Sequence, residues 1–168
     1  MTLLKTTALL LLATAPLAMA EHLKVVISQG TFSSVTGPNG EGGGSGQYKG
    51  FAIFNDAGEA IYDQAYPDDH SPCYNTDGGR TFTIEGDCWG SARQFHCESD
   101  FGGFPESCSV MDAGGNVLAE ASGQTNTEFI GIAIGQDGSC VMEFDSDDVE
   151  GNVCPEDDGN GPLHVTSG

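Results

Sequence analysis

Residues 48–62 read Tyr48-Lys49-Gly50-Phe51-Ala52-Ile53-Phe54-Asn55-Asp56-Ala57-Gly58-Glu59-Ala60-Ile61-Tyr62. Phe51 and Ile53 alternate with the small Gly50 and Ala52, the period of a strand that lays one face on a core. Asn55-Asp56-Ala57-Gly58 then supplies turn chemistry, and Ile61-Tyr62 resumes the apolar pattern, so the stretch is expected to be a β-hairpin. The same grammar recurs along the chain. Phe82/Ile84, Ile130/Ile132/Ile134 and Met142/Phe144 alternate with smaller or polar residues, and Leu23-Lys24-Val25-Val26-Ile27 is a β-branched run that reads as a first strand. Asp112-Ala113-Gly114-Gly115 and Gln136-Asp137-Gly138-Ser139 each separate two apolar-rich runs, which predicts two further hairpins. The first two turns share Asp-Ala-Gly, with Phe54 and Ile61 set around Asp56 as Val110 and Val117 are around Asp112; turn chemistry alone can produce this likeness, with an internal repeat as the alternative.

No window carries the 3.6-residue period of an amphipathic helix. About nine short strands at this spacing predict an all-β, antiparallel β-sandwich, with a closed barrel as the alternative, since both bury one face of every strand and limit exposed edges.

The 168-residue chain opens on a leader. Lys5 gives a positive start, Leu9 to Leu12 sit in an apolar stretch, and Ala18-Met19-Ala20 is a small-x-small cleavage signature, so residues 1–20 are read as a signal peptide and 21–168 as one β domain. The apolar run from Ala8 to Ala20 is shorter than the roughly 20 residues that cross a bilayer, so no membrane anchor is expected. All six cysteines, Cys73, Cys88, Cys97, Cys108, Cys140 and Cys154, follow the leader. In an exported chain their even number reads as a disulfide framework, although six cysteines allow fifteen connectivities. Phe101-Gly102-Gly103-Phe104-Pro105 reads as a hairpin loop that would set Cys97 opposite Cys108, a pairing expected to contribute about 3 kcal/mol by closing a short loop.

The formal net charge is −20, from 25 acids against 5 basic residues. Past the leader only Lys24, Lys49, Arg80 and Arg93 remain, and none lies beyond Arg93. That balance argues against nucleic acid, anionic lipid and polyanionic sugars, each of which rewards clustered cations, and suits cations, neutral glycans or a basic protein.

Two segments depart from the strand pattern. Residues 33–47, with Gly37, Gly40, Gly42, Gly43, Gly44 and Gly46, are too poor in apolar side chains to pack and are expected to form a mobile loop. No Gly-Lys-Ser/Thr ending makes this a phosphate loop. Residues 145–168 read as an acidic tail, in which Asp145, Asp147, Asp148 and Glu150 are the candidate ligands for calcium, a cation that takes several oxygens. The spacing departs from the EF-hand pattern at Val149 and Glu150, and a solvated acidic tail is the simpler reading.

Asp68-Asp69-His70, with His96, offers donors for zinc or copper, but two prolines frame it and it reads first as a polar loop. Glu85/Asp87 and Asp63/Asp68 are carboxylate pairs of the kind a glycosidase uses, in a chain where 25 acids make such pairs commonplace. No Gly-x-Ser-x-Gly elbow occurs. Trp89, Tyr62, Tyr66 and Tyr74 are the aromatic residues from which a sugar-binding platform would be built, with packing on a disulfide in the core the simpler reading of Trp89 in Cys88-Trp89-Gly90.

With its leader, length and six cysteines the chain resembles the small secreted cysteine-rich proteins of filamentous fungi, some of which act as effectors on a host. The resemblance covers bulk properties and transfers no site. It implies a stable β-scaffold that acts outside the cell by binding through positioned loops. The expected function is therefore that of a secreted, monomeric, non-catalytic interaction module directed at an extracellular protein or a cell-wall glycan. The alternatives are a calcium- or carbohydrate-linked extracellular hydrolase and a structural wall or matrix component.

Overall fold

The computed structural model describes residues 21–34, 44–130, 133–146 and 153–168; the leader lies outside them. Among the described residues ten strands form: β1 (His22–Ser34), β2 (Gly44–Phe54), β3 (Ala60–Gln64), β4 (Arg80–Glu85), β5 (Arg93–Ser99), β6 (Pro105–Met111), β7 (Val117–Ser122), β8 (Gln124–Ile130), β9 (Ala133–Asp145) and β10 (His164–Ser167). They pair antiparallel into two five-stranded sheets, β3-β2-β1-β9-β8 and β10-β4-β5-β6-β7. Each sheet keeps two edges, so the architecture is the expected sandwich and not the closed barrel.

The alternation that predicts strands also fills the core. Leu23, Val25 and Ile27 of β1, Phe51 and Ile53 of β2, Phe82 and Ile84 of β4, and Met142 and Phe144 of β9 are buried between the sheets. Phe51 sits at the centre, with its ring edge-on to Tyr62, Phe82 and Phe95 at centroid separations of 5.7, 5.0 and 5.2 Å. These are the geometries that the aromatic quadrupole favours.

The hairpins at 55–58 and 112–115 form as expected. In each, a leading Asn55 or Asp112 accepts the backbone N–H of the fourth residue on through its side-chain oxygen, at 2.9 Å in both. Gly58 and Gly115 take the positive φ of 79° and 82° that ends the turn. The structural equivalence thus sets Asn55 against Asp112, one residue away from the alignment of Asp56 with Asp112. The third expected hairpin, 136–139, does not form. These residues run straight through β9, held by pairing with β1 on one side and β8 on the other. Two flanking ladders outweigh the local turn preference of Asp137-Gly138.

Strands β1 and β2 also extend into the expected loop. Ser33 and Ser34 pair with Ser45 and Gly44, while 35–43 lie outside the described residues. Backbone pairing needs no apolar side chain, which is why composition underestimates these strands. The acidic tail is corrected similarly. Cys154 and Leu163 are buried and β10 pairs with β4, so much of 153–168 belongs to the sandwich. Between β7 and β8 the chain passes from one sheet to the other at Gly123. A Cβ there would lie 1.6 Å from the carbonyl oxygen of Pro105, so only glycine fits.

The disulfides are Cys73–Cys97, Cys88–Cys154 and Cys108–Cys140. The expected Cys97–Cys108 bond is therefore wrong, although the hairpin does place the two directly opposite. Cys97 bonds to the segment before β4, which runs beside β5 through the Tyr74–Glu98 bridge. Cys108 reaches across the core to β9 and pins the two sheets together. Three disulfides fit an oxidising compartment, and among the described residues no helix is long and apolar enough to cross a membrane.

Candidate functional site

Parity along the strands carries the site. On β1 the inward positions Leu23, Val25 and Ile27 continue as Gln29 and Thr31; on β2 the inward Phe51 and Ile53 are preceded by Lys49 and Gln47. On β9 the inward Cys140 and Met142 are preceded by Gly138 and Gln136. Register sets these side by side in two rows across four strands. One is Lys49, Gln29, Gly138, Thr125 and the other is Gln47, Thr31, Gln136, Thr127. The inner face of the first sheet thus turns from apolar to amide and hydroxyl where β1, β2 and β9 run past the shorter strands opposite. At strand spacings of about 4.8 Å the rows form a ledge roughly 14 Å wide.

The hairpin joining β5 to β6 walls this ledge. Asp100 N–H donates to Phe104 O at 2.9 Å, Gly103 N–H to Asp100 O at 3.0 Å, and Phe104 N–H to the Asp100 carboxylate at 2.9 Å. Gln29 Nε2 reaches up to Gly102 O at 3.0 Å. Gly103 is required where it stands, with φ 84° and no room for a Cβ beside Gln29 Nε2. The buried Phe104 lies on Gly138. This covers Gln29 and Gly138 in the middle of the first row and leaves Gln47, Thr31, Gln136, Thr125 and Thr127 accessible. At the tip of so well-anchored a turn, Phe101 is 100% exposed. Covering it would gain about 2 kcal/mol.

The ledge leads at Lys49 into a shallow cleft lined by Lys49, Ser71, Cys73, Tyr74, Asn75, Thr76, Ser99 and Gly103. Lys49 Nζ donates to Ser71 Oγ at 2.8 Å, and Ser71 Oγ donates to Cys73 O at 2.9 Å. Burial alone holds the Lys49 ammonium below the ordinary lysine range. The loop that brings Ser71 here is strained, with Asp68 and Asp69 both left-handed at φ 54° and 58°. It is tied down by Arg80, whose Nη1 donates to His70 O and Ser71 O. The guanidinium carbon lies 5.8 and 4.8 Å from the ring centroids of Tyr74 and Phe82.

Of the aromatic candidates, Trp89 and Tyr62 are excluded from a platform because they are 6% and 1% exposed. Trp89 follows the Cys88–Cys154 bond and packs near Phe95 and Phe144, and Tyr62 packs edge-on to Phe51. Tyr74 lines the cleft, and Tyr66 is half-exposed in the same loop segment. Asp68, Asp69 and His70 are not gathered with His96, which lies on the outer face of the second sheet against Thr81. Among the described residues no three His, Cys, Asp or Glu side chains are grouped to hold a metal. Asp145 accepts from His22 Nδ1 at 2.8 Å, which raises the His22 pKa; Asp147, Asp148 and Glu150 lie outside the described residues. Glu85 stands beside His164 on the outer face of the second sheet.

Sequence reasoning missed the ledge. Its signal is present, since Gln29, Thr31, Gln47 and Lys49 keep the parity of the core positions that precede or follow them. Comparison with known proteins finds no matching family, no matching curated protein and no matching solved structure. Fold and site together describe a disulfide-pinned antiparallel β-sandwich with a polar, carboxylate-free ledge at one end.

Proposed function

We propose that this protein is a secreted, monomeric, non-catalytic binding module whose ledge takes a cell-wall glycan. The observation that supports the reading is the composition of the two rows. In a chain with 25 acidic residues they hold glutamine, threonine, glycine and one lysine, with no carboxylate. Amides and hydroxyls match the hydroxyl groups of a sugar as donors and acceptors, and Phe101 and Tyr74 offer apolar faces at the margins. A glycosidase needs two carboxylates flanking the bond it cleaves. Asp100, in the hairpin that walls the ledge, already accepts the Phe104 N–H.

The test is depletion of the oxidised protein by insoluble cellulose, chitin, β-glucan and xylan, with released sugar measured in parallel. Binding to one of these without sugar release is expected, weakened about tenfold by Phe101→Ala and again by Gln47→Ala. Binding untouched by both substitutions, or no depletion by any of the four, refutes the assignment.

A further inference from the structure

Lys49 is out of place. A strongly acidic chain has carboxylates in excess for each of its few cations, yet among the described residues no acid lies within ion-pair distance of Lys49. Its one protein partner there is the Ser71 hydroxyl. A lysine ammonium carries three donors, so two are left to face the cleft. Half-burial without a counter-charge disfavours the charged form, and that burial is the whole cause of its lowered pKa. Asn75, Thr76 and Tyr74 line the same cleft and can add neutral donors. A partly desolvated cation ringed by neutral donors is complementary to one anionic group, and a planar carboxylate accepts from several donors at once.

We propose that this cleft is a subsite for the carboxylate of a single uronic acid residue, borne by the glycan that lies on the adjoining ledge. The inference rests on the glycan reading of that ledge. The protein's overall charge narrows the ligand further. A net charge of −20 repels a polyanion at long range, whereas a carboxylate within the cleft meets Lys49 at contact distance. The ligand class that satisfies both is a neutral backbone with sparse uronic acid branches, not a continuous polyuronate.

The experiment is calorimetric titration of the full oxidised protein with a xylo-oligosaccharide bearing one glucuronic acid branch. The same oligosaccharide with its carboxyl reduced to the alcohol, and a polygalacturonate fragment, serve as comparisons. Wild type is expected to bind the acid at least tenfold more tightly than its reduced form and to bind the polyuronate weakly at low salt. Lys49→Met should bind both xylo-oligosaccharides equally, at the affinity of the reduced form, while Lys49→Arg keeps most of the preference. Unchanged melting temperatures for both variants show that the fold is intact, and protection of Lys49 from an amine-reactive reagent by the acid gives a second readout. Equal wild-type binding of acid and alcohol overturns the carboxylate subsite but leaves the ledge standing. Binding of neither oligosaccharide overturns both readings for this backbone. A preference that survives Lys49→Met, or tightest binding to the polyuronate, also overturns the proposal.

Discussion

Removing the Cys108–Cys140 bond by Cys108→Ala/Cys140→Ala tests how the sandwich is held. The partners are 32 residues apart. Fixing a loop of that length restricts the unfolded chain by an entropy worth about 3.7 kcal/mol at room temperature. The same relation gives about 3.5 kcal/mol for Cys73–Cys97, separated by 24, and about 4.4 kcal/mol for Cys88–Cys154, separated by 66. The 108–140 loop lies wholly inside the 88–154 loop, which already restricts the chain, so about 4 kcal/mol is the ceiling for its loss. In the folded protein both sulfurs are buried and join β6 to β9 directly across the core. Alanine leaves only a small void there, so the cost should fall on the unfolded side. Equilibrium urea unfolding of the oxidised wild type and double variant reads this directly. The expected result is a midpoint lowered by the equivalent of 2–4 kcal/mol, with a modestly larger m-value because the unlinked unfolded chain exposes more surface. A loss below about 1 kcal/mol, or a decreased m-value, would refute the account, the first by showing that the bond restricts little and the second by showing that the native sandwich has loosened.

Alkaline titration should expose the packing of Tyr62, whose phenol burial pushes up to about 12. An unfolded tyrosine ionises near pH 10, so above that pH the unfolded state carries fewer protons than the folded one and stability falls as pH rises through this window. Urea midpoints should drop between about pH 10 and 12 in wild type and drop less in Tyr62→Phe; equal pH slopes would rule the effect out. Two glycines should respond in opposite ways. Gly123→Ala meets backbone that cannot move and should cost roughly 3 kcal/mol or prevent folding. Gly30→Ala meets first the exposed Tyr48 ring, which can swing aside. It should fold normally and break the Tyr48–Asp137 hydrogen bond, so that the raised Tyr48 pKa returns toward its ordinary value in an absorbance titration.

Legibility follows the range of the interaction. Phe51/Ile53, Phe82/Ile84 and Met142/Phe144 could be read as strands because a period of two is a local signal. The turns at 55–58 and 112–115 could be read because their residues act on their own backbone. The disulfides could not, because Cys97 and Cys108 are neighbours by register and yet bond to partners supplied by chain elements far away in sequence. Trp89 and Tyr62 failed as a platform for the same reason. Whether an aromatic faces solvent depends on which sheet covers it, and only the packing of Phe51, Phe95 and Phe144 settles that. The Gln136-Asp137-Gly138-Ser139 turn signal is real but weak, and two ladders override it.

The alternation along β9 also explains how so acidic a chain keeps a carboxylate-free ledge. Asp137, Glu143 and Asp145 fall on outward positions and Gln136, Gly138, Cys140, Met142 and Phe144 on inward ones, so strand parity alone sorts charge from core and from ledge. A one-residue slip of β9 would send Asp137 onto the ledge beside Lys49's row and carry Cys140 away from Cys108. The Cys108–Cys140 bond therefore fixes the register that keeps carboxylates off the ledge. Anchored by that bond and by the hydrogen-bonded turn under Phe101, the ledge is formed before any ligand arrives. A glycan taken up there, as proposed, would therefore cost little ordering entropy.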